Sequence, residues 1–302
     1  VLPSELLGHI TAEAASLTSL PAGLPVFATA NDKAVEALGA GLIKADELLV
    51  SLGTYTTSMM TGEKNYGTGL TDAFWSNMAD QPHRYLYESG GIRRGMWTIS
   101  WFKNLFGPEL DELLKSQGTS MLARLNEEAA VVPAGSDGLV ALMDWLPPLD
   151  KKYRRGGLIG FDNRHGRGHI FRAIMEGLAL TMFNYSTHMI EQLKRQPSAM
   201  IVTGGGSNSD LFMQILADVY NIPTRRNVIN GAASLGAAIN VAIGANVYPD
   251  YDTAIESMVR TDRTFQPDPT NVVHYQQIAV RYQQLYTDLD PVFKTANPEN
   301  EA

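Results

Sequence analysis

At 302 residues, 44% hydrophobic and 19% charged, the chain is long enough to bury one large core or two smaller ones. A net charge of -8 without any Lys/Arg cluster argues against nucleic acid as a partner, and the lack of cysteine excludes disulfides, thiol catalysis and thiolate metal sites. No apolar run approaches the roughly 18 residues of a membrane span, and no basic segment followed by an apolar one opens the chain, so the expected location is the cytoplasm, away from membranes.

The chain opens on Val1 rather than Met and reads as the middle of something longer. Its first β-type run covers 25–29, followed by a small-residue helix over 32–41 that ends in Gly39 and Gly41. Asp32 stands at the start of that helix. A carboxylate there caps the helix, or, facing a cleft at a strand end, serves as general base or binds a metal through water; the local residues leave both roles open. Two β-rich runs, 47–52 and 55–61, meet at Gly53-Thr54, which predicts a tight hairpin. Its backbone N–H groups and one hydroxyl either hold a phosphate or only turn the chain.

From about 68 to 145 the chain mixes loops with helices at 92–106 and 109–130 and reads as an elaborated insertion. A glycine-rich stretch, 157–168, leads into an amphipathic helix over 170–194, where Ile174, Leu178 and Met182 recur at helical spacing. The most informative segment is AMIVTGGGSNSDLFMQILADVYN, residues 199–221: a short apolar strand, three glycines, then an amphipathic helix. Gly204, Gly205 and Gly206 carry no Cβ, so a flat ligand fits against the backbone, and the free N–H groups of the following helix favour negative charge. The alternative is a turn that packs a helix closely on a strand. Ser207, Asn208, Ser209 and Asp210 are all good N-cap residues, so the helix starts among them. A strand over 222–228, a helix over 232–244 and two polar helices at 253–260 and 272–289 close the chain.

Several chemistries fail on spacing. There is no G-x-x-x-x-G-K-[ST], and the triple glycine does not fit G-x-G-x-x-G with its later acid. His165 and His169 lack the Glu of an H-E-x-x-H zinc site, and Ser207 lacks the second glycine of a G-x-S-x-G elbow.

In order and together, GLPVFATANDKAVEALGAG, SLGTY, RAIMEGLA, GGGSNSDLFMQILADVYNIP and GAASLGAAINVAIGANVY resemble the FGGY carbohydrate kinases, the family of glycerol, xylulose, ribulose and gluconate kinases. The resemblance implies an α/β fold, an actin-like (ribonuclease H-like) ATPase domain that is the second of two, with a helical insertion. It implies ATP and Mg²⁺ as cofactors and transfer of the γ-phosphate to a hydroxyl of a sugar or polyol. Residue by residue, Asp32 matches the catalytic aspartate, Gly53 and Thr54 the second phosphate-binding hairpin, Gly204, Gly205, Gly206 and Ser209 the adenosine segment. Gly95 falls in a glycine-rich region bordering the nucleotide.

Three departures mark a divergent subfamily. Ala30 and Asn31 stand where glycines usually precede the aspartate, Met96 and Trp97 replace glycines after Gly95, and Met143-Asp144-Trp145 takes the place of a Gly-Glu-Arg segment. The first phosphate loop and most sugar contacts of the family have no counterpart. By the family pattern, 1–43 is the connection, last strand and helix of a largely missing first domain, and 44–302 is the nucleotide-binding domain. The expectation is a carboxy-terminal portion inactive alone, partnered by the missing domain. The orphaned strand at 25–29 is expected to drive self-association, local disorder before about residue 43, or a re-packed terminus. The competing expectation is a non-catalytic nucleotide-binding module.

Overall fold

A computed structural model describes residues 1–67 and 72–297. In chain order, β1 (Leu6–His9), α1 (Ala12–Thr18) and β2 (Pro25–Phe27) build a two-stranded antiparallel ribbon, and α2 (Asp32–Gly39) follows. Asn31 caps α2, its Oδ1 accepting from the Ala34 N–H at 2.9 Å. Next come β3 (Glu47–Leu52), β4 (Thr56–Gly62), β5 (Phe74–Met78) and β6 (Tyr85–Ser89), then α3 (Gly95–Asn104), α4 (Pro108–Ser116) and α5 (Met121–Ala130). β7 (Val140–Leu142) pairs with β8 (Gly157–Ile159) ahead of the long α6 (Arg167–Leu193). The last third is β9 (Ala199–Thr203), α7 (Asp210–Tyr220), β10 (Thr224–Asn227), α8 (Ala232–Gly244), α9 (Tyr251–Met258), β11 (Thr261–Phe265) and α10 (Pro269–Ala296).

The main sheet has the order β11-β10-β9-β3-β4-β6-β5. β3, β9 and β10 run parallel at its centre, while β4, β6 and β5 extend it as an antiparallel meander. This is the actin-like arrangement. β3 and β4 are buried along their whole length because helices cover both faces, and accordingly neither ELLVSL nor TTSMMTG alternates apolar with polar residues. Leu48, Val50, Leu52, Met60 and Val202 face the core that α6 and α7 close, and the alternate residues Leu49, Met59, Leu86 and Ile201 face α2 and α8. α2 and α8 cross almost backbone to backbone. A Cβ on Gly39 would lie 1.8 Å from the Ala232 carbonyl oxygen, and one on Gly236 would lie 2.0 Å from that of Val35.

The structure corrects several expectations. The middle segment is not wholly an insertion, because β5 and β6 within it are strands of the main sheet; its first residues, 68–71, lie outside the described residues. The helix expected over 109–130 is two helices, α4 and α5, divided where Gly118 adopts φ +79°. The helix expected near 253–260 is α9, two residues earlier at each end, and β11 after it is a strand that was not expected. The Gly53-Thr54 hairpin has a three-residue loop, because Leu52 pairs with Thr56 and leaves Tyr55 outside the ladder. The strand at 25–29 is the shorter β2, paired with β1 rather than with the main sheet. Leu6, Leu7, Leu24 and Val26 of that ribbon are exposed, and Phe27 packs over Gly244 of α8.

Between α6 and α10, Asp144 is mostly buried, and its Oδ2 has no hydrogen-bond partner among the described residues. Burial pushes its carboxyl up to about 6 despite the nearby Arg154. That guanidinium is committed to Asp290, donating from Nε at 2.6 Å and from Nη2 at 2.8 Å. Among the described residues no helix is long and apolar enough to cross a membrane.

Candidate active site

The parallel strands β3 and β9 end side by side, with Ser51 opposite Thr203, and each runs straight into glycine. This juxtaposition brings the Gly53-Thr54 loop and the triple glycine to one end of the sheet, the carboxyl end, where open α/β sheets place their ligands. Gly204, at φ +83°, fits so closely over β3 that a Cβ there would meet the Leu52 carbonyl oxygen at 2.4 Å. Gly206 is also buried against Leu52 and Met96, whereas a Cβ on Gly205 would meet nothing within 4 Å. The three glycines thus divide: two permit close packing, and the middle one leaves open space.

Residues 205–208 form a 3₁₀ turn before α7 rather than passing directly into the helix. The turn is braced. Ser207 Oγ donates to the Gly204 carbonyl at 2.8 Å, Arg226 Nη1 donates to the Ser207 carbonyl at 3.1 Å, and Asn230 Nδ2 donates to Asn208 Oδ1 at 2.6 Å. Ser209 is the N-cap of α7, its Oγ accepting from the Phe212 N–H at 3.2 Å and donating to Asn126 Oδ1 of α5. Beside this turn lies a cleft of about 590 Å³, lined by Gly205, Gly206, Asn208 and Ser209 on one wall and by Met96, Ile99, Asn126 and Phe171 on the other. Gly95 itself is buried. A Cβ on it would clash with Thr56 Oγ1 at 2.0 Å, so glycine at 95 serves the packing of α3 on β4, and it is Met96 that reaches the cleft.

Thr54 is exposed at its loop tip, and the Gly53 carbonyl accepts from the Met96 N–H and from Thr56 Oγ1, both at 3.1 Å. Asp32 is exposed at the first turn of α2, its Oδ1 accepting from the Lys33 N–H at 2.8 Å. One turn further, Glu36 ties α2 to both strand ends. Its Oε1 accepts from Ser51 Oγ at 2.6 Å and from Thr203 Oγ1 at 2.7 Å, while Oε2 pairs with Lys33 Nζ at 2.8 Å. Burial pulls the Glu36 carboxyl upward, but the Lys33 ammonium and the two hydroxyls outweigh it and hold it below its ordinary value. Glu88 of β6 is raised, by burial first and by the charges of Asp32 and Glu36 besides, against the pull of Lys33. Sequence reasoning missed Lys33, Glu36, Ser51, Glu88 and Thr203. Two signals were present: Glu36 lies four residues from Asp32 on one helix face, and Thr203 directly precedes the glycines.

Residues 48–245 match the model of the FGGY family of carbohydrate kinases, C-terminal domain. The chain belongs to that family. It is 47% identical over 274 residues to the uncharacterized sugar kinase YgcE of Escherichia coli K12, covering 91% of this chain and 55% of that protein. It is 30% identical over 290 residues to the autoinducer-2 kinase of Yersinia enterocolitica, covering 94% of this chain and 54% of the relative. Among solved structures, xylulose kinase from Rhodospirillum rubrum superposes with a TM-score of 0.81 at 29% identity, covering 97% of this chain and 57% of that one. Plasmodium falciparum glycerol kinase with ADP, at 16% identity, shares the fold with a TM-score of 0.73, over 92% of this chain and 53% of its own. The chain therefore spans about half the length of these relatives.

Proposed function

We propose that this FGGY domain supplies the nucleotide half of an ATP-dependent sugar or polyol kinase. The observation that carries the proposal is the shared strand end, where the open Gly205 shelf, the Gly53-Thr54 loop and the first turn of α2 are joined through Glu36. The cleft beside Gly205 and Gly206 offers apolar walls and a few fixed polar groups, Asn126, Asn208 and Ser209, which suits a flat adenine ring. Gly53 and Thr54 would meet the phosphates through backbone N–H groups and one hydroxyl. Asp32 would accept the proton of the attacking hydroxyl, a role its solvent-facing place at the head of α2 permits.

Among the described residues no group of three His, Asp or Glu side chains could hold a metal. Mg²⁺ prefers one or two carboxylates with water and phosphate oxygens over an all-protein cage, and here it would lie near Asp32, reached through water. When bound, Mg²⁺ neutralises charge on the transferred phosphoryl group. The chain's own part is positioning: Lys33 and Glu36 fix the first turn of α2 against β3 and β9, and the braced 205–208 turn keeps its N–H groups oriented without further ordering.

Because the chain spans about half of its relatives, we propose that these 302 residues do not turn over sugar by themselves. The domain division at residue 43, the cytoplasmic location and partnership with a separate amino-terminal domain belong to the same proposal. Mixing the chain with ATP, Mg²⁺ and a panel of pentoses, polyols and sugar acids should yield background phosphorylation only, with ATP binding visible by calorimetry. Robust turnover would refute the proposed inactivity, and absence of nucleotide binding would refute the nucleotide role. A non-catalytic nucleotide-binding module is separated by Asp32→Asn in an active kinase that carries this chain: phosphoryl transfer should fall by several orders of magnitude with ATP affinity retained, whereas a binding module would be unaffected.

A further inference from the structure

A buried polar cluster lies behind the segment that leads into Asp32, and neither the nucleotide cleft nor the sheet core requires it. Asp80, in the turn between β5 and β6, is 2% exposed and has no cationic partner among the described residues. Its Oδ1 accepts from the backbone N–H of Ala30 at 2.6 Å, and its Oδ2 accepts from Asn240 Nδ2 of α8 at 2.5 Å. Asn240, wholly buried, also donates to the Gly236 carbonyl at 3.3 Å, and its Oδ1 accepts from Ser4 Oγ at 2.8 Å and from the Tyr251 hydroxyl at 3.0 Å. Ser4 in turn donates its N–H to the Ala28 carbonyl at 2.9 Å. Five segments meet at this pair: the residues before β1, the 28–30 approach, the β5–β6 turn, α8 and α9.

A carboxylate this deep is costly unless its hydrogen bonds matter to the fold or to the site. The geometry offers a specific use. Ala30 is two residues before Asp32, and its N–H is the only backbone donor of the approach that the Asp80 carboxylate takes up among the described residues. Asn31 then caps α2 and Asp32 occupies its first turn, so the direction in which Asp32 leaves α2 is set by where Ala30 is pinned. Glu36 fixes the other side of the same turn against β3 and β9.

We infer that Asp80 is a positioning residue for Asp32: clasped by Asn240, it pins the Ala30 amide and thereby fixes the start of α2 relative to the strand ends. This rests on the assignment of Asp32 as general base, and the test keeps the two separable. Asp80→Asn retains one oxygen for Ala30 but sets an amide N–H₂ against that of Asn240; Asn240→Asp sets two carboxylates against each other. The double variant Asp80→Asn with Asn240→Asp restores a donor facing an acceptor.

Amide hydrogen exchange of the 302-residue chain is the first measurement. In either single variant, Ala30 and the first turn of α2 should exchange about tenfold faster or more, as befits loss of a charge-assisted hydrogen bond, while β9 keeps its protection; the double variant should return toward wild type. Uniform acceleration across β9 and α2, or no change at Ala30, would overturn the inference. The second measurement is made in an active kinase bearing this chain. Each single variant should lower kcat about tenfold or more with KM for ATP unchanged, and the double variant should recover kcat. Equal loss in kcat and ATP affinity would overturn the positioning role. If Asp32→Asn leaves kcat intact, the general-base assignment fails by itself, while the exchange result still decides whether Asp80 pins Ala30.

Discussion

At Asp144 burial and charge conflict, and Asp144→Asn exposes that conflict. Its carboxyl is raised from 3.8 to about 6, chiefly by burial, and its Oδ2 lacks a partner among the described residues. The unfolded chain loses this proton first. Between the two values the folded state holds more protons than the unfolded one, so stability falls as pH rises through the window from about 3.8 to about 6, and the full penalty applies above it. A rise from 3.8 to about 6 corresponds to about 3 kcal/mol, of which about 2 kcal/mol develops between about pH 4.5 and about pH 8. Asparagine has nearly the same shape and does not titrate. Urea denaturation of both proteins at those two pH values therefore compares the variant with wild type twice, and other titrating groups cancel in the difference. The stability of the variant relative to wild type should improve by about 2 kcal/mol at the higher pH. A relative stability that is the same at both pH values would refute the assignment of the strain to a buried carboxylate charge.

The glycine shelf yields a paired test. Gly205→Ala should fold with stability within about 1 kcal/mol of wild type, since its Cβ meets nothing, yet weaken ATP binding measured by calorimetry. Gly204→Ala should instead destabilise by about 2 kcal/mol or more, because it forces a side chain into φ +83° and onto the Leu52 carbonyl. Thermal melts distinguish the two, and equal behaviour would mean the shelf has no open side. Gly236→Ala should part α2 from α8 and cost about 2 kcal/mol or more, with amide protection lost first over 32–39; an unaltered melting temperature would show that the crossing has slack. Ser209→Ala should cost about 1 kcal/mol through loss of the α7 cap and of the bond to Asn126, seen as a lower urea midpoint.

The parts legible in the sequence are those whose cause is local. The Asp32 helix, the β3–β4 hairpin and the strand, glycine turn and helix of 199–221 each carry their signal within about 25 residues, as apolar period, turn glycine or cap. β5 and β6 are not legible because FWSNM and YLYES are five-residue runs that mix polar with apolar residues; β5 is the edge strand, with Trp75 exposed, and β6 beside it carries Glu88 into the sheet. The α4–α5 break was lost because one glycine in a polar helix is a weak stop signal until its φ is known. The side chains that join the site were illegible for a different reason: Glu36 meets Thr203 across 167 positions and Asp80 meets Ala30 across 50, and no local pattern encodes such pairs.

Those long-range pairs also explain why the site sits where it does. Three parallel strands end at one side of the sheet, and a chain that leaves each of them must turn sharply, so glycine follows β3 and β9. Turns of that kind have backbone N–H groups left without sheet partners, and such groups suit an anion. Turns alone are mobile, however, and the ordering they require would be drawn from binding energy. Here Glu36 takes up the hydroxyls of both strand ends, Arg226 and Asn230 brace the 205–208 turn, and Asp80 pins the approach to Asp32. Most of that ordering is completed on folding, and what remains exposed at the strand ends is the unobstructed face of Gly205, the tip of Thr54 and the carboxylate of Asp32.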